Sequence, residues 1–184
     1  MKEEREADIV RKVLLGDVQA FGLLVREYQR PVYNLMIRMV GDEDKAADLA
    51  QDAFTRAYDK LESFKPGRRF FPWLYSVSLN IARDWLRADG RDRLVFVEDA
   101  SVMARQEDTP DEQDTLHARL DGAKAFDIVL TLDPKYREAL ILRYRYDFTM
   151  QEIARTLETS VSGAKMRISR GLDMVRQKFD GGVI

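Results

Sequence analysis

Residues Thr149 to Ser169 read TMQEIARTLETSVSGAKMRIS, two short helices joined by a tight turn. Thr149 followed by Glu152 is a capping box, in which the hydroxyl and the carboxylate each satisfy a free amide at a helix start. Ile153, Ala154 and Leu157 give that helix a small apolar face. Thr159 and Ser160 then supply a capping hydroxyl for a second helix. In it Val161, Ala164, Ile168, Leu172, Val175 and Phe179 recur at spacings of three and four, the stripe of a helix packed along one side. The other side carries Ser162, Lys165, Met166, Arg167, Ser169 and Arg170. A packed first helix and a cationic second helix form a helix-turn-helix, whose second helix fits a DNA major groove. DNA binding is the expectation against which the rest of the chain is read.

A net charge of −2 is unexpected for a DNA binder until it is divided along the chain. Asp42 to Glu62 carries seven acids and three bases, whereas Lys65 to Arg93 carries seven bases and three acids. Glu98 to Asp121 has eight acids and two bases, and Gly122 to the end has eleven bases and eight acids. Two basic blocks are thus separated by an acidic one. With a Debye length of about 8 Å at physiological salt, each block acts locally, so the separation matters more than the sum.

The 184 residues suffice for one large or two small domains. There is no cysteine, which excludes disulfides and thiolate metal sites and suits a reducing cytoplasm. No apolar run approaches the ~20 residues of a membrane span, and MKEEREADIV lacks the basic-then-apolar order of a signal peptide. The expected location is the cytoplasm. His117, the single histidine, sits among polar residues and is assigned no role.

Strand-like alternation is absent, and Leu, Ala, Arg, Glu and Lys are abundant, so an all-α fold is expected. The periodicity predicts helices over Ile9–Leu15, Val18–Val40, Asp44–Phe64, Pro72–Ala88, Leu116–Thr131, Pro134–Tyr146, Met150–Leu157 and Val161–Phe179. Asp133-Pro134 is a helix start, with an acceptor at the cap and proline at the first helical position. Glu98 to Asp114, EDASVMARQEDTPDEQD, has few large apolar residues and many acids, the composition of a flexible linker. The expected organisation is a helical domain over residues 1–94, a linker over 95–115 and a second helical domain over 116–184.

The other distinctive stretch is FKPGRRFFPWLYSVSLNIARDWLR, Phe64 to Arg87. Pro66-Gly67 marks a loop. Lys65, Arg68 and Arg69 then stand beside Phe70, Phe71, Trp73 and Tyr75. Cations interleaved with aromatics suit single-stranded nucleic acid, where cations meet phosphates and rings stack on unpaired bases. Trp73, Val77, Ile81 and Trp85 line up at four-residue spacing and read as core, whereas Phe71 and Tyr75 read either way. The opposite face presents Ser76, Asn80, Arg83, Asp84 and Arg87, of which Asn80 beside Arg83 and Arg87 suits a base edge.

Upstream, DKAADLAQDAFTRAYDKLESF turns Ala46, Ala50, Ala53, Phe54, Ala57 and Leu61 inward and Asp48, Gln51, Asp52, Thr55 and Asp59 outward. DNA repels such a face. It reads as a solvated surface, as a docking face for a basic protein, or, through Asp44, Asp48 and Asp52 at four-residue spacing, as a carboxylate site for Mg²⁺. No nucleophile or general base accompanies those carboxylates, and no metal site is assigned.

The order of these pieces resembles the small extracytoplasmic-function (ECF) group of bacterial sigma factors over about Asp8 to Phe179. It runs acidic helix, Pro-Gly loop with aromatics, a helix reading W-L-x5-N-x4-W, linker, and helix-turn-helix. The resemblance implies two helical domains, conventionally regions 2 and 4, and a promoter-recognition subunit without catalysis or cofactor. It implies that Asp48, Gln51 and Asp52 dock on the clamp-helix coiled coil of the RNA polymerase β′ subunit, with the β flap as a further contact. It implies that Lys65, Arg68, Arg69, Phe71, Tyr75, Asn80, Arg83 and Arg87 recognise and open the −10 element. Ser162, Lys165, Met166, Arg167, Ser169 and Arg170 would read the −35 element, the linker would thread toward the RNA exit path, and an anti-sigma factor would be a further partner.

Two positions depart from that group. Glu158 occupies a turn position that often holds glycine, and Arg68 and Arg69 stand where small residues are frequent. Two other readings remain open at this point. One is an ordinary helix-turn-helix regulator with an N-terminal effector or dimerisation domain. The other is an all-helical metal-dependent phosphohydrolase built on Asp44 to Asp52.

Overall fold

A computed structural model describes residues 3–65, 67–89 and 114–180. Among them every regular element is helical. The chain divides into two compact units, Met1–Val97 and Glu98–Ile184. The expected linker, residues 95–115, lies outside the described residues up to 113, as does the side chain of His117.

The first unit is built from α1 (Glu3–Leu14), α2 (Val18–Val40), α3 (Glu43–Asp59), a 3-10 turn at Leu61–Ser63, and α4 (Phe70–Ala88). Helix α1 begins well before the expected Ile9. Its first turns lack large apolar residues, but Glu6 is buried and tied to the other helices. Helix α2 is bounded by polar caps. Asp17 accepts from the Ala20 N–H at 3.2 Å, and Gly41, at φ +73°, returns its N–H to the Ile37 carbonyl at 3.0 Å. A glycine suits that left-handed position because it carries no Cβ. The helix passes through Pro31 without ending, although an interior proline forfeits a backbone hydrogen bond. Burial of Leu24, Val32, Leu35 and Met36 on the same helix outweighs that loss.

Asp42 caps α3 by accepting from the Lys45 N–H at 2.8 Å. The expected single helix over Asp44–Phe64 stops at Asp59. Ser63 Oγ takes the Lys60 carbonyl at 2.6 Å, and the Phe64 N–H takes that of Leu61 at 3.0 Å, so the chain tightens into the 3-10 turn. Helix α4 opens two residues before the expected Pro72. Its buried residues are Phe70, Phe71, Pro72, Leu74, Tyr75, Ser78, Leu79, Ala82 and Leu86. The expected core stripe Trp73–Val77–Ile81–Trp85 instead flanks this face, each residue half-buried. The helix is apolar over more than half its circumference, so spacing alone does not select which stripe packs deepest.

The second unit holds α5 (Asp114–Leu130), α6 (Pro134–Leu140), a π-helical turn at Ile141–Arg145, α7 (Met150–Thr156) and α8 (Val161–Asp180). Asp133 caps α6 as expected, accepting from the Lys135 N–H at 3.1 Å. The expected continuous helix to Tyr146 widens after Leu140. The Tyr146 N–H reaches back to the Ile141 carbonyl at 3.3 Å, and Asp147 turns the chain at φ +58°. Gly171 of α8 lies against α6, where an added Cβ would stand 3.0 Å from Leu140 Cδ1. Leu142, Phe148, Ile153 and Ala164 fill the core around this crossing.

Candidate nucleic-acid and partner interfaces

Helix α8 is presented by a short turn with a local polar cap at each step. Thr149 and Glu152 close the capping box of α7, with the Glu152 N–H on Thr149 Oγ1 at 3.2 Å and the Thr149 N–H on Glu152 Oε2 at 2.7 Å. The chain then reverses through Glu158 at φ +51°, the position where glycine is frequent. The Thr159 N–H bonds back to the Ala154 carbonyl at 2.9 Å. Ser160 Oγ accepts from the Gly163 N–H at 3.0 Å and starts α8. Gly163 makes this tight start possible, since a Cβ there would lie 2.4 Å from Thr159 Oγ1.

On α8 itself Ala164 and Ile168 are buried, whereas the expected stripe members Val161 and Phe179 are 38% and 44% exposed. Ser162, Lys165, Met166, Ser169 and Arg170 are all exposed and share one face by their spacing. Arg167 is half-buried and sits at the margin of that face. The result is a flat, solvent-facing strip with an apolar thioether between two cations, the chemistry that meets thymine methyls, guanine edges and phosphates in a major groove.

The basic loop before α4 is held by its two ends. Phe64 is buried in a ring cluster with Phe70 at 5.8 Å and Trp73 at 5.4 Å between centroids. Gly67 takes φ +80°, and Lys65 and Arg68 are exposed, with Arg69 half-buried. Phe71 and Tyr75 do not belong to the DNA-facing surface expected of them. Phe71 is 7% exposed and stacks on Tyr28 at 4.7 Å with an interplanar angle of 6°. Tyr75 is fully buried, and its hydroxyl accepts from Arg38 Nη2 at 2.8 Å. Both rings pack in the core of the first unit, Phe71 edge-on to Tyr75 at 5.9 Å between centroids. Farther along α4, Asn80 and Arg87 are exposed and Arg83 is half-buried. Arg87 pairs with Asp84 at 2.8 Å, an exposed contact that a phosphate can replace at small cost.

Helix α3 shows the opposite charge. Ala46, Ala50, Ala53, Phe54 and Ala57 are buried, as is Leu61 in the 3-10 turn that follows, and Asp44, Asp48, Gln51, Asp52, Thr55 and Asp59 are exposed. Lys45 pairs with Asp48 at 3.3 Å. Among the described residues no group of three or more acids or histidines is placed to hold a metal ion. No helix among them is long and apolar enough to cross a membrane.

The sequence reading missed Glu6 and Tyr28. Glu6 is 6% exposed, accepts a short hydrogen bond from the Tyr28 hydroxyl, and accepts from the Phe70 N–H at 3.1 Å. Burial first, then this hydrogen bond and the charge of Glu6, hold the Tyr28 hydroxyl far above its ordinary value, so it remains a donor. A signal was present in the spacing. Glu6, Ile9, Val10 and Val13 fall on one helical stripe, which places a carboxylate among apolar residues.

Comparison with known proteins bears on both units. The family pattern for Sigma-70 region 2 matches residues 24–92, and that for Sigma-70, region 4 matches residues 126–175. The ECF RNA polymerase sigma-E factor of Haemophilus influenzae is 33% identical over 179 residues, 93% of this chain and 93% of its own length. The ECF RNA polymerase sigma factor SigW of Bacillus subtilis is 32% identical over 185 residues, 92% of this chain and 94% of its own. In fold the chain resembles the sigma factor RpoE of Bartonella quintana, solved in complex with the anti-sigma factor NepR. The TM-score is 0.66 and the identity 24%, over 90% of this chain and 100% of that one.

Proposed function

The chain belongs to the ECF sigma factors of bacterial RNA polymerase, and from that membership we propose how its surfaces divide the work. As a sigma factor it binds core RNA polymerase and directs promoter-specific initiation by recognising −35 and −10 elements and helping to open the latter. Residues 1–94 form the part that docks on core and melts DNA, residues 95–115 connect, and residues 116–184 read the −35 element. Asp48, Gln51 and Asp52 contact the basic clamp-helix coiled coil of β′, and the β flap is a further contact. Lys65, Arg68, Arg69, Asn80, Arg83 and Arg87 engage the −10 region. Ser162, Lys165, Met166, Ser169 and Arg170 face the −35 bases, with Arg167 on phosphate at the groove margin. An anti-sigma factor is a further partner, the protein works in the cytoplasm, and it carries no catalysis of its own.

The observation that supports this division best is α3. Its alanine side is buried and its carboxylate side is solvent-facing. An ordinary helix-turn-helix regulator has no use for an acidic docking helix beside a basic loop. The test has two arms. Run-off transcription from a genomic library should require both this protein and core enzyme. The Asp48→Lys/Asp52→Lys variant should bind core about tenfold or more weakly. Its stability should change by less than about 0.5 kcal/mol, because both sites are exposed. Unaltered core affinity in that variant would sink the docking assignment.

A further inference from the structure

Helix α4 starts without a cap of its own. Arg69, at its N-cap position, makes no side-chain hydrogen bond to the first turn. The Phe70 N–H is satisfied instead by Glu6 Oε2 at 3.1 Å, a residue 64 positions earlier in the chain. The other oxygen of the same carboxylate takes the Tyr28 hydroxyl. One buried side chain therefore joins α1, α2 and the first turn of α4. Tyr28 in turn stacks on Phe71 and lies 6.0 Å from Phe70, and the charge of Arg69 reaches its hydroxyl. Among the described residues of the basic loop, the Arg68 N–H closes on the Lys65 carbonyl in a long contact of 3.4 Å. The direction in which Arg68 and Arg69 leave α4 is thus set from outside the loop.

We propose that Glu6 is a positioning residue for promoter opening. It fixes the first turn of α4 so that Lys65, Arg68 and Arg69 meet the opened −10 strand in one geometry, and this makes α1 part of the melting apparatus. The proposal rests on the reading that this loop engages opened DNA. Sequence neighbours do not supply the function. Gly67 holds the loop at a left-handed φ, Lys65 and Arg68 are exposed, and Phe64 and Phe70 at its two ends are buried. Removing a cap costs of order 1 kcal/mol, so a loop freed at one end should lose about five- to tenfold in a rate that needs its native placement.

The experiment uses the full chain with core enzyme. Glu6→Met fills the space of the carboxylate and removes both acceptors. Glu6→Gln keeps an acceptor for the Phe70 N–H and a donor for Tyr28 Oη. Three quantities are read: exchange of the Phe70 amide by NMR, core affinity, and the open-complex rate per core-bound factor on a duplex promoter. Expected for Glu6→Met are a faster-exchanging Phe70 amide, unchanged core affinity and an opening rate about five- to tenfold lower. Glu6→Gln should recover most of both losses. If Glu6→Met does not fold, Glu6→Met/Tyr28→Phe removes both polar partners and leaves no buried hydroxyl without a partner. The same opening defect is expected of it. Normal opening with a freely exchanging Phe70 amide would overturn the proposal, as would a core affinity that falls in step with opening. A wild-type chain that opens no promoter with core would overturn the functional reading instead, while the amide exchange would still report the cap.

Discussion

Helices α4 and α8 both carry cations to the surface, but they do so on different footings. Helix α8 starts from its own turn, with Ser160 on the Gly163 N–H and Thr159 folded over the glycine. The polar cap at its first turn is supplied by residues within three positions of their partners. Helix α4 starts from a carboxylate 64 residues away, and the aromatics beside its loop are committed to the core. One element is a self-contained reading head. The other is a surface whose shape depends on the packing beneath it. Substitutions on α8 should therefore change which promoter is chosen while the fold stays intact. Substitutions at the start of α4 should change stability and opening together.

The largest expected effect tests that contrast. Tyr75→Ala removes a fully buried ring and leaves the guanidinium of Arg38 without its hydroxyl partner in a buried site. Large-to-small changes of this kind cost about 3–5 kcal/mol. Denaturant unfolding should show the first unit destabilised by that order, with opening lost as a consequence. Met166→Ala, on a side chain 49% exposed, should stay within about 0.5 kcal/mol of wild type. A Tyr75→Ala protein of wild-type stability that loses only promoter opening would return Tyr75 to the DNA-facing set and break the contrast.

The next effect sharpens it. On the strip of α8, Lys165→Ala and Arg170→Ala should each cost about 1–3 kcal/mol if the residue reads a base, with specificity relaxed at one position. Arg167→Ala should behave differently, because Arg167 lies half-buried at the margin. It should weaken all promoters alike and lower the salt slope by about 1, as a phosphate contact does. Binding titrations against a −35 library at several salt concentrations separate the two patterns. Alanine at all three with promoter selection and salt dependence unchanged would remove α8 as the reading element.

The same contrast explains what could be read from the chain in advance. The boundaries of α7 and the start of α8 are legible because their caps are local. Thr149, Glu152 and Ser160 act within three residues of their partners. The outward carboxylates of α3 are legible because alanines occupy the inward side and leave one choice of face. On α4 the apolar residues wrap too far around the helix, so Trp73 and Trp85 are flanking while Leu74, Leu79 and Leu86 are core. The burial of Tyr75 and Phe71 was not legible because their partners, Arg38 and Tyr28, are remote in sequence. The end of α6 was also out of reach. The widening at Ile141–Arg145 answers to the tertiary packing of Leu142 and Phe148, which no local propensity encodes.

The smallest expected effect compares the segments that precede the two helices. Before α4 the left-handed position is filled by Gly67 at φ +80°. Before α8 it is filled by Glu158 at φ +51°, where a side chain crowds the backbone. A Cβ at Gly67 would meet no atom within 4 Å, so any cost of Gly67→Ala comes from the backbone alone. That substitution should destabilise the first unit by about 1 kcal/mol. Glu158→Gly relieves the corresponding strain but adds freedom to the unfolded chain, so the gain in the second unit should stay below about 1 kcal/mol. Asp147 at φ +58° provides the scale, because aspartate tolerates the left-handed region better than glutamate. Asp147→Gly should therefore gain less than Glu158→Gly. Urea unfolding of the three single variants orders them, and promoter selection by Glu158→Gly should match wild type, since Glu158 lies outside the reading strip. A loss of stability in Glu158→Gly would mean that the contacts of this glutamate in the turn outweigh its strain, and the turn before α8 would then depend on side-chain packing just as the start of α4 does.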